Sequence, residues 1–283
     1  MKKISIWATK GGTGKSTVCA NLGLALKNKG LRIGFLDVDC TGSNLPTALG
    51  ILEPFPYVGL DTTREKMIAV EVNGYEIFSL SFRFGTRAAL MWQGNEQKIK
   101  AFGQEFEMRG TGTYQLVKQM LTNVEFSNDL DYLLYDLPPT SGDITLSLFE
   151  NISDIFGAIL VCQPTNLAVQ DIERTLNMIG VKRIPLLGMV GNMVYAIAPK
   201  SREEFCPFLD AGIDLETFCN SRGIPYLTSI PLSPIKELIS GIFDNLADKV
   251  TKLEPVRIWE RSFKQRLEAA TAKGIIKGLF KEK

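Results

Sequence analysis

The chain has 283 residues, 45% of them apolar and 22% charged, with 32 Lys/Arg against 31 Asp/Glu. That is ordinary globular composition for one large domain or two, and a net charge of +1 gives no field for nucleic acid, so no sequence-specific nucleic-acid partner is expected. Histidine is absent, which excludes Ser-His-Asp triads, Cys-His nucleophile pairs and H-E-x-x-H zinc sites.

In chain order, residues 4–8 read as a buried strand and residues 16–29 as a helix that Gly30 stops. Residues 32–38 and 75–82 read as the next two strands. Residues 113–121 are expected to be helical, and 132–137 form a fourth strand halted by Pro138 and Pro139. A helix over 143–150, a strand over 156–162, a helix over 167–179 and a strand over 185–191 follow. The series closes with a helix over 213–222, a strand over 226–230, a helix over 235–241 and a helical stretch from Val256. Strands alternating with helices predict a mostly parallel sheet covered on both faces, a three-layer α/β/α fold in a single domain over 1–283. Residues 83–112 fit this rhythm poorly, with five glycines and no clean period.

The first strand runs into T-K-G-G-T-G-K-S-T, Thr9 to Thr17, and then into a helix. This strand, glycine loop and helix order is the context of a phosphate loop. Glycines let backbone amides converge on phosphate oxygens, and the helix N-terminus adds positive potential. Gly11, Gly12, Thr13, Gly14, Lys15, Ser16 and Thr17 are therefore the candidate nucleotide cradle. Lys15 would reach the β- and γ-phosphates, and Ser16 would ligate Mg²⁺. The general G-x-x-x-x-G-K-[ST] pattern is not fully met, because Thr9 stands at its first glycine and a second lysine, Lys10, precedes Gly11. Asp37 and Asp39 end the second strand, on one face by strand alternation, and Asp136 ends the fourth, at the carboxyl edge of a parallel sheet where nucleotides bind. Asp37 and Asp136 would hold the water shell of Mg²⁺. Without histidine, hydrolysis must rest on carboxylates, cations and positioning, which phosphoryl transfer tolerates.

K-G-G-T-G-K-S-T resembles the deviant phosphate loop of the Mrp, ParA and MinD ATPases. The resemblance implies ATP and Mg²⁺ as cofactors and a homodimer that sandwiches ATP. Lys10 would reach across to the partner's nucleotide, and Asp39 would orient the attacking water. Lys10, Lys15 and Asp39 are thus the implied catalytic residues, and Asn192 and Pro231 the implied adenine contacts. Further matches run in order: D-V-D-C-T-G-S-N-L-P-T-A-L-G (37–50), L-D-Y-L-L-Y-D (130–136), Q-P-T-N-L-A-V-Q-D-I-E-R-T-L-N-M (163–178), L-G-M-V-G-N-M (187–193) and I-P-L-S-P-I (230–235). D-L-P-P-T-S-G-D-I-T-L-S-L (136–148) is nearest to the Mrp-type branch. Similarity of this kind implies slow hydrolysis that gates an unknown protein or metal-cluster cargo. A nucleotide-bound scaffold that hydrolyses little is the non-enzymatic alternative.

Two departures stand out. The Mrp-type C-x-x-C that bridges an iron–sulfur cluster is missing, since N-M-V-Y-A-I-A-P-K-S (192–201) holds no cysteine. Cys206 and Cys219, thirteen positions apart, lack metal-ligand spacing and read as small apolar residues, the alternative being one cysteine per chain that meets its twin across a dimer to bind a metal or cluster. The family's single W-R-G is matched in part twice, by Trp92-Gln93-Gly94 and by Met108-Arg109-Gly110, which points to an insertion within 83–112.

Five cysteines, an odd number, fit a reducing compartment. The apolar run at the N-terminus is too short for a signal peptide, and no stretch nears 18 uninterrupted apolar residues. A cytoplasmic protein is expected. Residues 257–283 carry eight Lys/Arg and three Asp/Glu. Val256, Trp259, Phe263, Leu267 and Ala270 recur at helical spacing. Over 271–283, Ile275, Ile276, Leu279 and Phe280 oppose Lys273, Lys277 and Lys281. Two readings stand for this basic amphipathic segment: a last helix packed on the domain, or a MinD-like surface helix that binds membrane.

Overall fold

The computed structural model describes residues 1–8, 10–39, 42–56, 59–61, 66–84, 98–101, 104–107, 118, 120–138, 154–208 and 213–259. The strands are β1 (Lys2–Trp7), β2 (Ile33–Asp37), β3 (Gly59–Asp61), β4 (Lys66–Ile68), β5 (Val70–Val72), β6 (Tyr75–Ser79), β7 (Lys98–Ala101), β8 (Gln104–Glu107), β9 (Val124–Glu125), β10 (Tyr132–Asp136), β11 (Ile155–Cys162), β12 (Leu186–Ile197), β13 (Glu204–Phe205) and β14 (Tyr226–Leu232). The helices are α1 (Lys15–Asn28), α2 (Leu45–Ala48), α3 (Ser81–Phe84), α4 (Asn166–Lys182), α5 (Leu215–Ser221) and α6 (Lys236–Lys252).

Among the described residues the main sheet runs β13-β12-β11-β1-β10-β2-β6-β5, with β14 also paired to β12. Every pair from β14 through β12, β11, β1, β10 and β2 to β6 is parallel, and β5 and β13 add antiparallel edges. Parallel strands must be buried on both faces, which explains the unbroken apolar runs of β2 and β10. The chain leaves β1 toward β2 on one side of the sheet and leaves β11 toward β12 on the other. Right-handed crossovers in opposite directions put α1 and α4 on opposite faces, as the three-layer fold requires. The long α6 lies against α1, with Lys29 paired to Asp248 at 2.9 Å. The end of α5 joins α4 through Arg222 and Glu173.

Several boundaries differ from the sequence expectation. The third strand stops at Ser79, and Ser81–Phe84 turns into a short helix. The sixth strand runs on to Ile197, because β13 gives its far end a partner. The helix expected over 235–241 continues to Lys252, since Phe243, Leu246, Ala247 and Val250 extend its buried stripe. Val256 forms a bridge with Leu186 rather than starting a helix, exchanging two backbone hydrogen bonds of 2.7 and 2.9 Å. Within 83–112 there is a hairpin, β7 with β8, and β3-β4-β9 forms a separate small sheet. The helix expected over 143–150, most of that over 113–121, and the basic segment 271–283 lie outside the described residues.

Candidate functional site

The site stands at the carboxyl ends of β1, β10, β2 and β6, and register brings its central row together. Ile6 pairs with Asp136, Asp136 with Asp37, and Asp37 with Ser79, so two carboxylates and a hydroxyl lie in one row across the sheet. Beyond β1 the chain turns through the glycine loop into α1. Gly12 and Gly14 have φ of 77° and 82°, a left-handed backbone that a side chain resists. Gly14 is the N-cap of α1, and with no side-chain cap the helix's first amides stay available. A cleft of about 490 Å³ opens here, lined by residues 10–17 with Asp39, Gly42, Asn44, Thr47 and Ala48.

Lys15 is buried and its ammonium is paired with Asp136, itself wholly buried. Burial works against the Lys15 charge, but Asp136, then Asp39 and Asp37, raise its pKa above the ordinary lysine value. Burial pushes Asp136 up, opposed by Lys15 and by a hydrogen bond from Ser16. Asp37 is pushed up to about 7, by burial first and then by the charge of Asp136, while Ser43 and Lys15 pull it down. One buried cation therefore serves three carboxylates. Asp37 Oδ2 accepts hydrogen bonds from Ser43 Oγ and from Ser79 Oγ at 3.1 Å. Ser79 Oγ is also 2.9 Å from Ser81 Oγ. Asp39 lies just past the end of β2, so a turn and not strand alternation sets its place: its amide donates to Asp37 Oδ1 at 3.2 Å. Asp39 Oδ1 in turn accepts the Gly42 amide at 3.1 Å.

The donor set fits a hard divalent cation. Asp136 Oδ2 is buried without a hydrogen-bond partner, and both strand-end carboxylates are pushed toward protonation, so the pocket is short of positive charge. Serine and carboxylate oxygens at this edge are what Mg²⁺ takes alongside phosphates. Among the described residues no group of three or more His, Cys, Asp or Glu gathers into a metal cage.

The remaining candidates sit apart from this row. Lys10 is 40% exposed and lies 3.0 Å from Asp171 of α4. Asn192, on β12, is buried and donates from Nδ2 to the Thr13 carbonyl at 2.7 Å. Ile230 pairs with Asn192, so Pro231, also buried, is the next residue on the neighbouring strand. Cys219 is buried and Cys206 exposed, so the two thiols occupy different environments. Burial pushes the Cys219 thiol up to about 12. Sequence reasoning missed Ser79 and Ser81, for which no pattern signalled a role. It also missed Ser43, Gln163 and Asp171, although all three lie inside the motif stretches it singled out.

A family profile described as ParA, NUBPL iron-transfer P-loop NTPase, matches residues 1–107 and 100–252. The iron-sulfur cluster carrier protein of Aquifex aeolicus is 31% identical over 256 residues, covering 90% of this chain. The match spans 61% of that relative's own length. A nucleotide-binding protein of Archaeoglobus fulgidus in complex with ADP superposes with a TM-score of 0.62 at 24% identity, covering 89% of each chain. The septum site-determining protein MinD of Pyrococcus horikoshii, complexed with Mg-ADP, gives 0.55 at 19% identity, covering 89% of this chain and 96% of that one. At these identities the structural likeness speaks for the fold.

Proposed function

This chain belongs to the ParA/NUBPL iron-transfer P-loop NTPase family, and from that premise we propose that it is a Mg²⁺-dependent ATPase that dimerises around ATP. The observation that carries this reading is the junction of the glycine loop with the Asp136–Asp37–Ser79 row, where Lys15 is held among carboxylates. The backbone amides of residues 11–16 would bind the phosphates. Lys15 would exchange Asp136 for the β- and γ-phosphate oxygens, as a buried cation can when a stronger anion arrives. Ser16, Asp37 and Asp136 would hold Mg²⁺, which supplies neutralisation of phosphate charge. Asp39 would orient the attacking water. Lys10, held by Asp171 in its own chain, would be released to the partner's nucleotide at little cost, because an exposed ion pair contributes about 0–1 kcal/mol.

The relatives are named for iron–sulfur cluster carriage, and that makes a metal cluster the first cargo class to test. Hydrolysis would gate cargo binding, in the cytoplasm. No helix among the described residues is long and apolar enough to cross a membrane. Lys10→Ala tests the reading. Turnover and ATP-dependent dimerisation should both fall, read by phosphate release and by size-exclusion chromatography; unchanged values for both reject the cross-dimer role. Iron analysis of anaerobically purified protein tests the cargo class.

A further inference from the structure

The carbonyls of the phosphate loop are tethered one after another. Thr13 Oγ1 donates to the Lys10 carbonyl at 3.3 Å, Gln163 Nε2 to the Gly12 carbonyl at 3.3 Å, and Asn192 Nδ2 to the Thr13 carbonyl at 2.7 Å. The two amide side chains come from neighbouring strand ends. Cys162 pairs with Gly191 across β11 and β12, so Gln163 and Asn192 are each the next residue, side by side where β11, the neighbour of β1, ends. Local distortion serves this placement. The β12–β14 register breaks between Asn192 and Ala196, and Met193 takes a φ of 56°, unusual for a side chain of its size. Met193 Sδ lies 3.3 Å from the same Gln163 nitrogen, so the two strand ends also hold each other.

A trans peptide points its carbonyl and its N–H in opposite directions. Holding the Gly12 and Thr13 carbonyls against β11 and β12 therefore turns the amides of Thr13 and Gly14 the other way, into the cleft. We propose that Gln163 and Asn192 are positioning residues of the phosphate site: they fix two peptide planes of the loop so that its amides face the phosphates before a nucleotide arrives. This differs from the adenine contact that family resemblance implies for Asn192: one of the two Nδ2 hydrogens is committed to the loop backbone, which ties the amide's orientation to the loop. The inference rests on the nucleotide reading above, and it assigns both residues to phosphate affinity and not to base recognition.

The test uses a probe without a base. MgATP and inorganic tripolyphosphate with Mg²⁺ are titrated calorimetrically into the wild-type chain, Asn192→Leu and Gln163→Met. Each variant keeps the side-chain size and loses the donor. Both should lose about tenfold in affinity for both probes, a hydrogen bond's worth each, whether or not the melting temperature of the free protein also falls. Loss of MgATP affinity with tripolyphosphate affinity intact would show base reading and overturn the proposal. A lowered melting temperature with unchanged affinity would show a merely structural role and overturn it too. If Asn192→Leu does not fold, Gln163→Met decides alone. A wild-type chain that binds neither probe rejects the nucleotide reading itself; wild-type binding with unaffected variants rejects only the tethers.

Discussion

At Gly14 two demands meet on one α-carbon. Its φ of 82° favours glycine, and a Cβ there would lie 2.2 Å from Asn192 Nδ2. Gly14→Ala therefore pays left-handed strain of roughly 1–2 kcal/mol and pushes Asn192 off the loop. Loss of ATP binding together with a lower melting temperature is the expected outcome, read by calorimetry and thermal unfolding. Asp37 gives a pH prediction. Folding raises its pKa from 3.8 to about 7, so the folded state holds more protons across that interval. The stability it contributes is full below about pH 4 and is lost as pH climbs to about 7. Metal-free protein should melt at a lower temperature at pH 7.5 than at pH 5.5, and Asp37→Asn should flatten that slope. An unaltered slope in the variant would show that Asp37 is not its source. Lys15, Ser16, Asp37 and Asp136 were legible in the sequence because each abuts a strand end or the glycine loop. Ser79 and Gln163 were not, because a serine or glutamine carries no periodic signal and its partner is a residue remote in sequence.

Among the elements, α1 shows how closely helix and sheet approach. A Cβ on Gly23 would meet the buried Phe35 ring at 2.2 and 2.3 Å, and Leu134 Cδ1 at 3.0 Å. Gly23→Ala should destabilise the chain by about 1–3 kcal/mol through overpacking, measured by chemical denaturation. Gly23 drew no notice in the sequence, where a glycine inside a helix looks only like a weak residue. The sequence showed the parallel strands through their apolar runs and stopped α1 correctly, at the residues before Gly30. It missed β4, β5 and β9 because strands of two or three residues hold no period. It also began α4 late, since Thr165 caps that helix by accepting the Ala168 amide at 3.2 Å.

For the whole molecule, the reading predicts that dimerisation and hydrolysis can be separated. Asp39→Ala removes the group assigned to the water but leaves Lys10, Lys15 and the loop amides. Turnover should fall by roughly a hundredfold, while ATP-dependent dimer accumulates on size-exclusion chromatography. A variant that turns over normally would remove Asp39 from that role. Asp171→Ala should shift stability by less than about 1 kcal/mol, measured by denaturant unfolding, because the cations it pairs with, Lys10 and Arg174, are both exposed.

The row Ile6, Asp136, Asp37 and Ser79 also bears on how the chain finds its fold. In β2 and β10 every residue is buried, and a one-residue slide would turn each side chain to the opposite face and press a larger residue where Gly34 now meets Leu130 and Leu133. The polar ends resist such a slip as well: a one-residue offset would carry a carboxylate away from its lysine or its serines and strand it among aliphatic side chains. The charges that make the site chemically useful thus double as the alignment marks of the sheet's centre. Neutralising them all at once should cost this protein its strand registry along with its chemistry.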